Sequence, residues 1–210
     1  MRPILLGALF SLALPAAVHA AENADVVFDA TFPRLTTSTA AEEPVPFAPA
    51  STFEKGTWAG QVFLSGTHGF DDGDIYLIHA GVGYHLLDDL SINLDFIGGY
   101  TFEDQRRVDP NATVGFDLML RLHLFKGTGW SIFVEGGAGM VWFRDHFPPG
   151  GTHQNFTPQL GAGITFPFFA QSRLLVGIRW HHISNAGKTG EGRNPGYDGI
   201  MAYAGVMIPF

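Results

Sequence analysis

The chain has 210 residues, no cysteine, a formal charge of −8 and only 15% charged residues beside 27 glycines and 19 phenylalanines. An acidic balance excludes a nucleic-acid binder, which needs a basic surface. The glycine and aromatic content is foreign to a helical soluble enzyme, and the missing thiols exclude a disulfide framework.

The first twenty residues form a secretory signal. Arg2 precedes an apolar run from Ile4 to Leu14, and the small-residue stretch ends in Val18-His19-Ala20, so cleavage is expected after Ala20. The run is too short to span a bilayer, and no later stretch reaches the roughly eighteen apolar residues of a membrane helix. Residues 21–55 are rich in Ala, Thr, Pro and Glu and show no sustained period, which predicts a flexible periplasmic extension.

From Thr57 the pattern turns to period two. Leu118, Leu120, Leu122 and Leu124 alternate with Asp117, Met119, Arg121 and His123; Ile92, Leu94 and Phe96 alternate with Ser91, Asn93 and Asp95. Such alternation belongs to strands with two unlike faces. It predicts strands at 57–65, 74–85, 89–103, 113–125, 130–143, 155–168, 173–184 and 199–210, joined alternately by short turns and longer loops. Residues 56–210 are therefore expected to form an all-β fold, an eight-stranded antiparallel transmembrane β-barrel in the outer membrane of a Gram-negative bacterium.

A soluble β-sandwich is the competing architecture. The polar faces carry Asp95, Asp117, Arg121, Glu135 and Arg179 among many glycines, which suits a narrow, side-chain-filled lumen, and a closed barrel leaves no edge for hydrocarbon to meet. The terminal aromatic Phe210 matches the C-terminal signal read by the barrel-assembly machinery. Trp180, Trp142 and Phe143 are assigned to an aromatic girdle.

The seventh strand carries Leu174, Val176, Ile178, Trp180, His182 and Ser184 on one face. His182 and Ser184 are i, i+2 neighbours about 7 Å apart, the minimum arrangement for a general base beside a serine nucleophile. Counting back from Phe210 along the last strand puts Asp198 on the same side, where its carboxylate is a candidate to fix the histidine tautomer. His181 points the other way, as a lumen hydrogen-bonding residue, so a metal site from His181, His182 and Asp198 is not expected.

The segment His182-Ile183-Ser184-Asn185-Ala186, followed by Asn194-Pro195-Gly196-Tyr197-Asp198, resembles the PagL-type lipid A 3-O-deacylase family. That resemblance implies an eight-stranded outer-membrane barrel with His182 as base, Ser184 as nucleophile and Asp198 as triad acid. The best-known members carry Glu at the last position, one methylene longer; Glu191, in the same loop, is the alternative acid. Asn185, Asn194 and Gly187 are the candidate oxyanion or positioning groups. The implied substrate is lipid A of lipopolysaccharide, met within outer-membrane lipid, with no metal or cofactor and with a homodimer compatible with the chain. A catalytically silent structural or adhesive barrel, and an esterase acting on another acyl lipid, are the alternative functions.

Overall fold

The computed structural model describes residues 52–70, 73–102, 110–188, 190 and 194–210, all within the compact unit Pro46–Phe210. The signal peptide, residues 21–51 of the extension and Glu191 lie outside the described residues.

Among the described residues, nine strand segments follow in chain order: β1 (Trp58–Gly69), β2 (Asp74–Leu87), β3 (Leu90–Phe102), β4 (Asn111–Gly127), β5 (Trp130–Phe147), β6 (Thr152–Phe156), β7 (Gln159–Pro167), β8 (Arg173–Ile183) and β9 (Tyr197–Pro209). Each pairs antiparallel with its chain neighbours, except that β6 and β7 both pair with β5 and not with each other, and β1 also pairs with β9, from Ala59 opposite Pro209 to Gly69 opposite Gly199. The ring is thereby closed. It has eight positions, because β6 and β7 lie end to end on β5.

The expected single strand over 155–168 is thus broken at Thr157-Pro158. Proline has no N–H for the ladder, and the Pro158 carbonyl accepts instead from the His182 amide at 3.1 Å. Several strands also run past their expected ends. The β5–β6 hairpin extends to Phe147, held where Asn155 Nδ2 donates to the Phe147 carbonyl at 2.8 Å.

Period two maps onto inside and outside. Val62, Leu64, Ile78, Phe96, Leu120 and Ile178 are exposed on the outward face, an apolar band that only hydrocarbon matches. Trp142 joins this band, but Phe143 does not. It is buried inside against Phe147, ring centroids 4.7 Å apart. Adjacent strand residues face opposite sides, so Trp142 and Phe143 cannot both belong to a girdle.

The lumen is filled by side chains. Glu135 accepts from Arg179 Nε at 2.6 Å, from Arg121 Nε at 3.0 Å and from the Tyr203 hydroxyl. Arg121 Nη1 donates to Gln61 Oε1 at 3.0 Å, and Gln61 Nε2 donates to Asp95 Oδ1 at 2.6 Å. The Tyr203 ring lies across Gly177, where any Cβ would overlap it. At the short-turn end, Phe53 packs against His123 with centroids 3.9 Å apart, and Asp89 N donates to the Phe53 carbonyl at 2.8 Å. Residues 52–55 therefore pack onto the barrel, although composition groups them with the extension.

Candidate active site

The site forms at the long-loop end of β8 and β9. His182 and Asp198 are directly opposite in register. The His182 amide turns to Pro158 and the Asp198 carbonyl accepts from Phe70 N at 2.8 Å, so neither spends its backbone groups on the other. They form a non-hydrogen-bonded pair, the type with Cα atoms only about 4.5 Å apart and side chains drawn together. His182 Nδ1 lies 2.9 Å from Asp198 Oδ1. In a neutral imidazole, a carboxylate acceptor selects the tautomer with the proton on Nδ1, which leaves the lone pair on Nε2.

Ser184 continues the same outward face. It sits just beyond β8, in an antiparallel bridge with Phe156 in which Phe156 N donates to its carbonyl at 2.8 Å and its own amide donates to Phe156 O at 3.1 Å. β6 therefore holds the backbone of Ser184 in strand geometry after β9 has ended its pairing. The Ser184 hydroxyl makes no hydrogen bond to another described residue. The structure thus joins His182 to Asp198 directly and places Ser184 on their side of the barrel, without a bond to the imidazole.

The connection after Ser184 is built by two asparagines. Asn194 Oδ1 accepts from the Asn185 amide at 3.0 Å, which ties the start of the loop to its return. With its oxygen so engaged, the Asn194 amide nitrogen remains as a donor. Asn185 is buried, and its Oδ1 accepts from Gly187 N at 2.9 Å. Ala186 and Gly187 have φ of 54° and 75°, and Lys188 N closes back on the Asn185 carbonyl at 3.2 Å. Two positive φ values with that bond define a type I′ turn, for which glycine is suited at the second central position. Gly187 N is occupied within this turn. The Lys188 ammonium lies over the Phe156 ring, 4.6 Å from its centroid, beside the bridge to Ser184.

His181 points into the barrel, buried, with Nδ1 3.3 Å from Thr67 Oγ1; it does not share a side with His182 and Asp198. Two neighbours of the pair escape a reading of the motif alone. Trp180 Nε1 donates to Asp198 Oδ1 at 2.9 Å, the oxygen His182 also contacts. Gly196 lies against the imidazole, so that a Cβ there would stand 3.1 Å from His182 Cε1. The signal for Trp180 was present in its position two residues before His182 on one face; Gly196 reads only as turn chemistry.

Two solved structures of similar shape are both barrels. The outer membrane enzyme PagL aligns with a TM-score of 0.51 and 23% identity over 71% of this chain and 99% of that one. The N-terminal β-barrel domain of Pseudomonas aeruginosa OprF aligns with a TM-score of 0.50 and 18% identity over 74% of this chain and 98% of that one. No curated protein matches the sequence. The family model for lipid A 3-O-deacylase (PagL) matches residues 80–207, more than half of the chain and all of the His182, Ser184 and Asp198 region, and the protein therefore belongs to that family.

Proposed function

We propose that the protein is an outer-membrane serine esterase that removes the 3-O-linked acyl chain from lipid A. The observation that carries this is the His182–Asp198 pair at 2.9 Å on the outward face, with Ser184 two residues along the same face. A base and a hydroxyl that look out from the barrel wall meet an acyl chain where it already lies, within the bilayer. Family membership supplies the substrate class.

In this reading Ser184 Oγ attacks the ester carbonyl carbon while His182 Nε2 takes its proton. Asp198 stabilises the imidazolium that forms and holds its tautomer. Charge collects on the former carbonyl oxygen, for which the Asn194 amide nitrogen is the best-prepared donor, since Gly187 N is already bonded to Asn185. Collapse breaks the carbon–oxygen bond to the sugar, and the departing oxygen takes the proton back from His182. Water then repeats the sequence on the acyl-enzyme, releasing the fatty acid and restoring Ser184. Asp198 serves as the triad acid and Glu191 is not required.

The chain would reach its membrane through cleavage after Ala20 and insertion directed by the C-terminal strand, whose Phe210 is exposed. The test is mass spectrometry of lipid A from a Gram-negative outer membrane lacking other deacylases, expressing the wild type or Ser184→Ala. Loss of one 3-O-linked acyl chain with the wild type alone is expected. Intact lipid A beside a correctly folded wild-type barrel would overturn the reading.

A further inference from the structure

Asp198 Oδ1 is the meeting point of two rings. His182 Nδ1 and Trp180 Nε1 each lie 2.9 Å from it, and the two rings are stacked, with centroids 5.6 Å apart and planes 23° from parallel. The register explains how this is possible. Trp180 faces Ile200 directly, so Asp198 is its diagonal neighbour on β9, a separation only a long side chain bridges. His182 reaches the same carboxylate straight across.

An indole N–H at a membrane rim needs a hydrogen-bond partner, and water or a lipid headgroup ordinarily supplies it. Here the donor is turned along the sheet to a carboxylate. The Asp198 side chain is 41% exposed, so water competes for its oxygens and nothing in the lumen restrains it. With one donor the carboxylate rotates about its own bonds; with two donors converging on one oxygen its orientation is set.

We propose that Trp180 is a positioning residue of the esterase site, acting through Asp198. Its N–H holds the carboxylate in the orientation that receives the His182 Nδ1 proton, and its ring limits the tilt of the imidazole. The proposal rests on the esterase reading above. It separates Trp180 from a girdle residue, whose role depends on bulk and aromatic character and not on the direction of one N–H.

The test uses the full-length protein, purified in detergent, with a short-chain p-nitrophenyl ester and with purified lipid A. Trp180→Phe keeps an aromatic ring and removes the donor together with the second ring of the indole. A fall in kcat of about tenfold is expected, with KM unchanged, since a bond to a charged group is lost and no substrate contact is. The second arm is a double-mutant cycle with Asp198→Asn. If Trp180 acts through Asp198, Trp180→Phe in that background changes kcat less than about twofold. Equal kcat for Trp180→Phe and wild type, a loss carried by KM, or a full tenfold loss repeated in the Asp198→Asn background would each overturn it. A folded wild type inactive on both esters would instead overturn the esterase reading, and Trp180's part in it. Heat-modifiable migration on gels identifies the folded barrel in every case.

Discussion

Glu135 and Asp198 are both carboxylates on barrel strands, and both accept from several donors, yet their surroundings differ in kind. Glu135 is fully buried in the lumen between two guanidinium groups and the Tyr203 hydroxyl. Its partners Arg121 and Arg179 are permanent cations. Asp198 stands at the outward rim, part-exposed, and its partners are an imidazole and an indole. One of those becomes a cation only when it takes a proton. A carboxylate matched to fixed charges holds a wall together; a carboxylate matched to a charge that appears during a reaction lowers the cost of that reaction.

The largest expected effect lies on the rim. Ser184→Ala should reduce kcat by on the order of a millionfold, the scale for removing a triad nucleophile. The barrel should stay folded, because the Ser184 hydroxyl has no described hydrogen bond to lose and its backbone bonds to Phe156 are unaffected. Asp198→Asn comes next. An amide in place of the carboxylate removes the charge and favours the wrong imidazole tautomer, for a loss of about 10⁴ in kcat. Steady-state hydrolysis of a soluble ester beside denaturant unfolding reads both variants. Unfolding midpoints that fall together with activity would show that the rim also serves as structure.

Glu135→Gln inverts that pattern. It leaves two buried guanidinium groups without their counter-charge, and removing one partner of a buried ion pair costs about 3–5 kcal/mol. The unfolding free energy read from urea titration should drop by that margin, while kcat per folded barrel stays within about twofold of the wild type. A large loss of kcat at unchanged stability would erase the contrast between lumen and rim.

Much of this division was legible in the sequence. The two faces of a barrel strand meet different surroundings, so Asp117, Arg121 and Glu135 can be placed inside and Leu118, Leu120 and Leu122 outside by parity alone. Parity also brought His182 and Asp198 to one side, because the count ran through unbroken strands to Phe210. It fails where composition overrides it: Phe143 and Trp142 are both aromatic, but neighbours on a strand cannot share a face. Other features depend on register between strands, which one strand's pattern does not carry. The diagonal from Trp180 to Asp198 is one, and the capture of the His182 amide by Pro158 is another. The packing of Phe53 on His123 was hidden for a different reason, since four residues at the end of a polar segment show no period.

The smallest effect sharpens how tightly the rim is built. Gly196 has no positive φ, so space and not backbone conformation is the reason for glycine there. The Cβ of Gly196→Ala would come to 3.1 Å from His182 Cε1, closer than ordinary contact. Either the loop or the ring gives by a few tenths of an ångström. The ring is held at Nδ1 by Asp198 and stacked on Trp180, which opposes a tilt, so what is left is a small in-plane shift that swings Nε2 relative to Ser184. Misplacement of a reacting group by about 1 Å costs on the order of a hundredfold, and a shift of a few tenths should cost about tenfold in kcat with little change in KM. Pairing Gly196→Ala with Ser184→Ala then separates the two causes, since a shifted base has nothing left to impair once the nucleophile is gone. A drop in unfolding midpoint for Gly196→Ala would mean that the loop has moved and the imidazole has not.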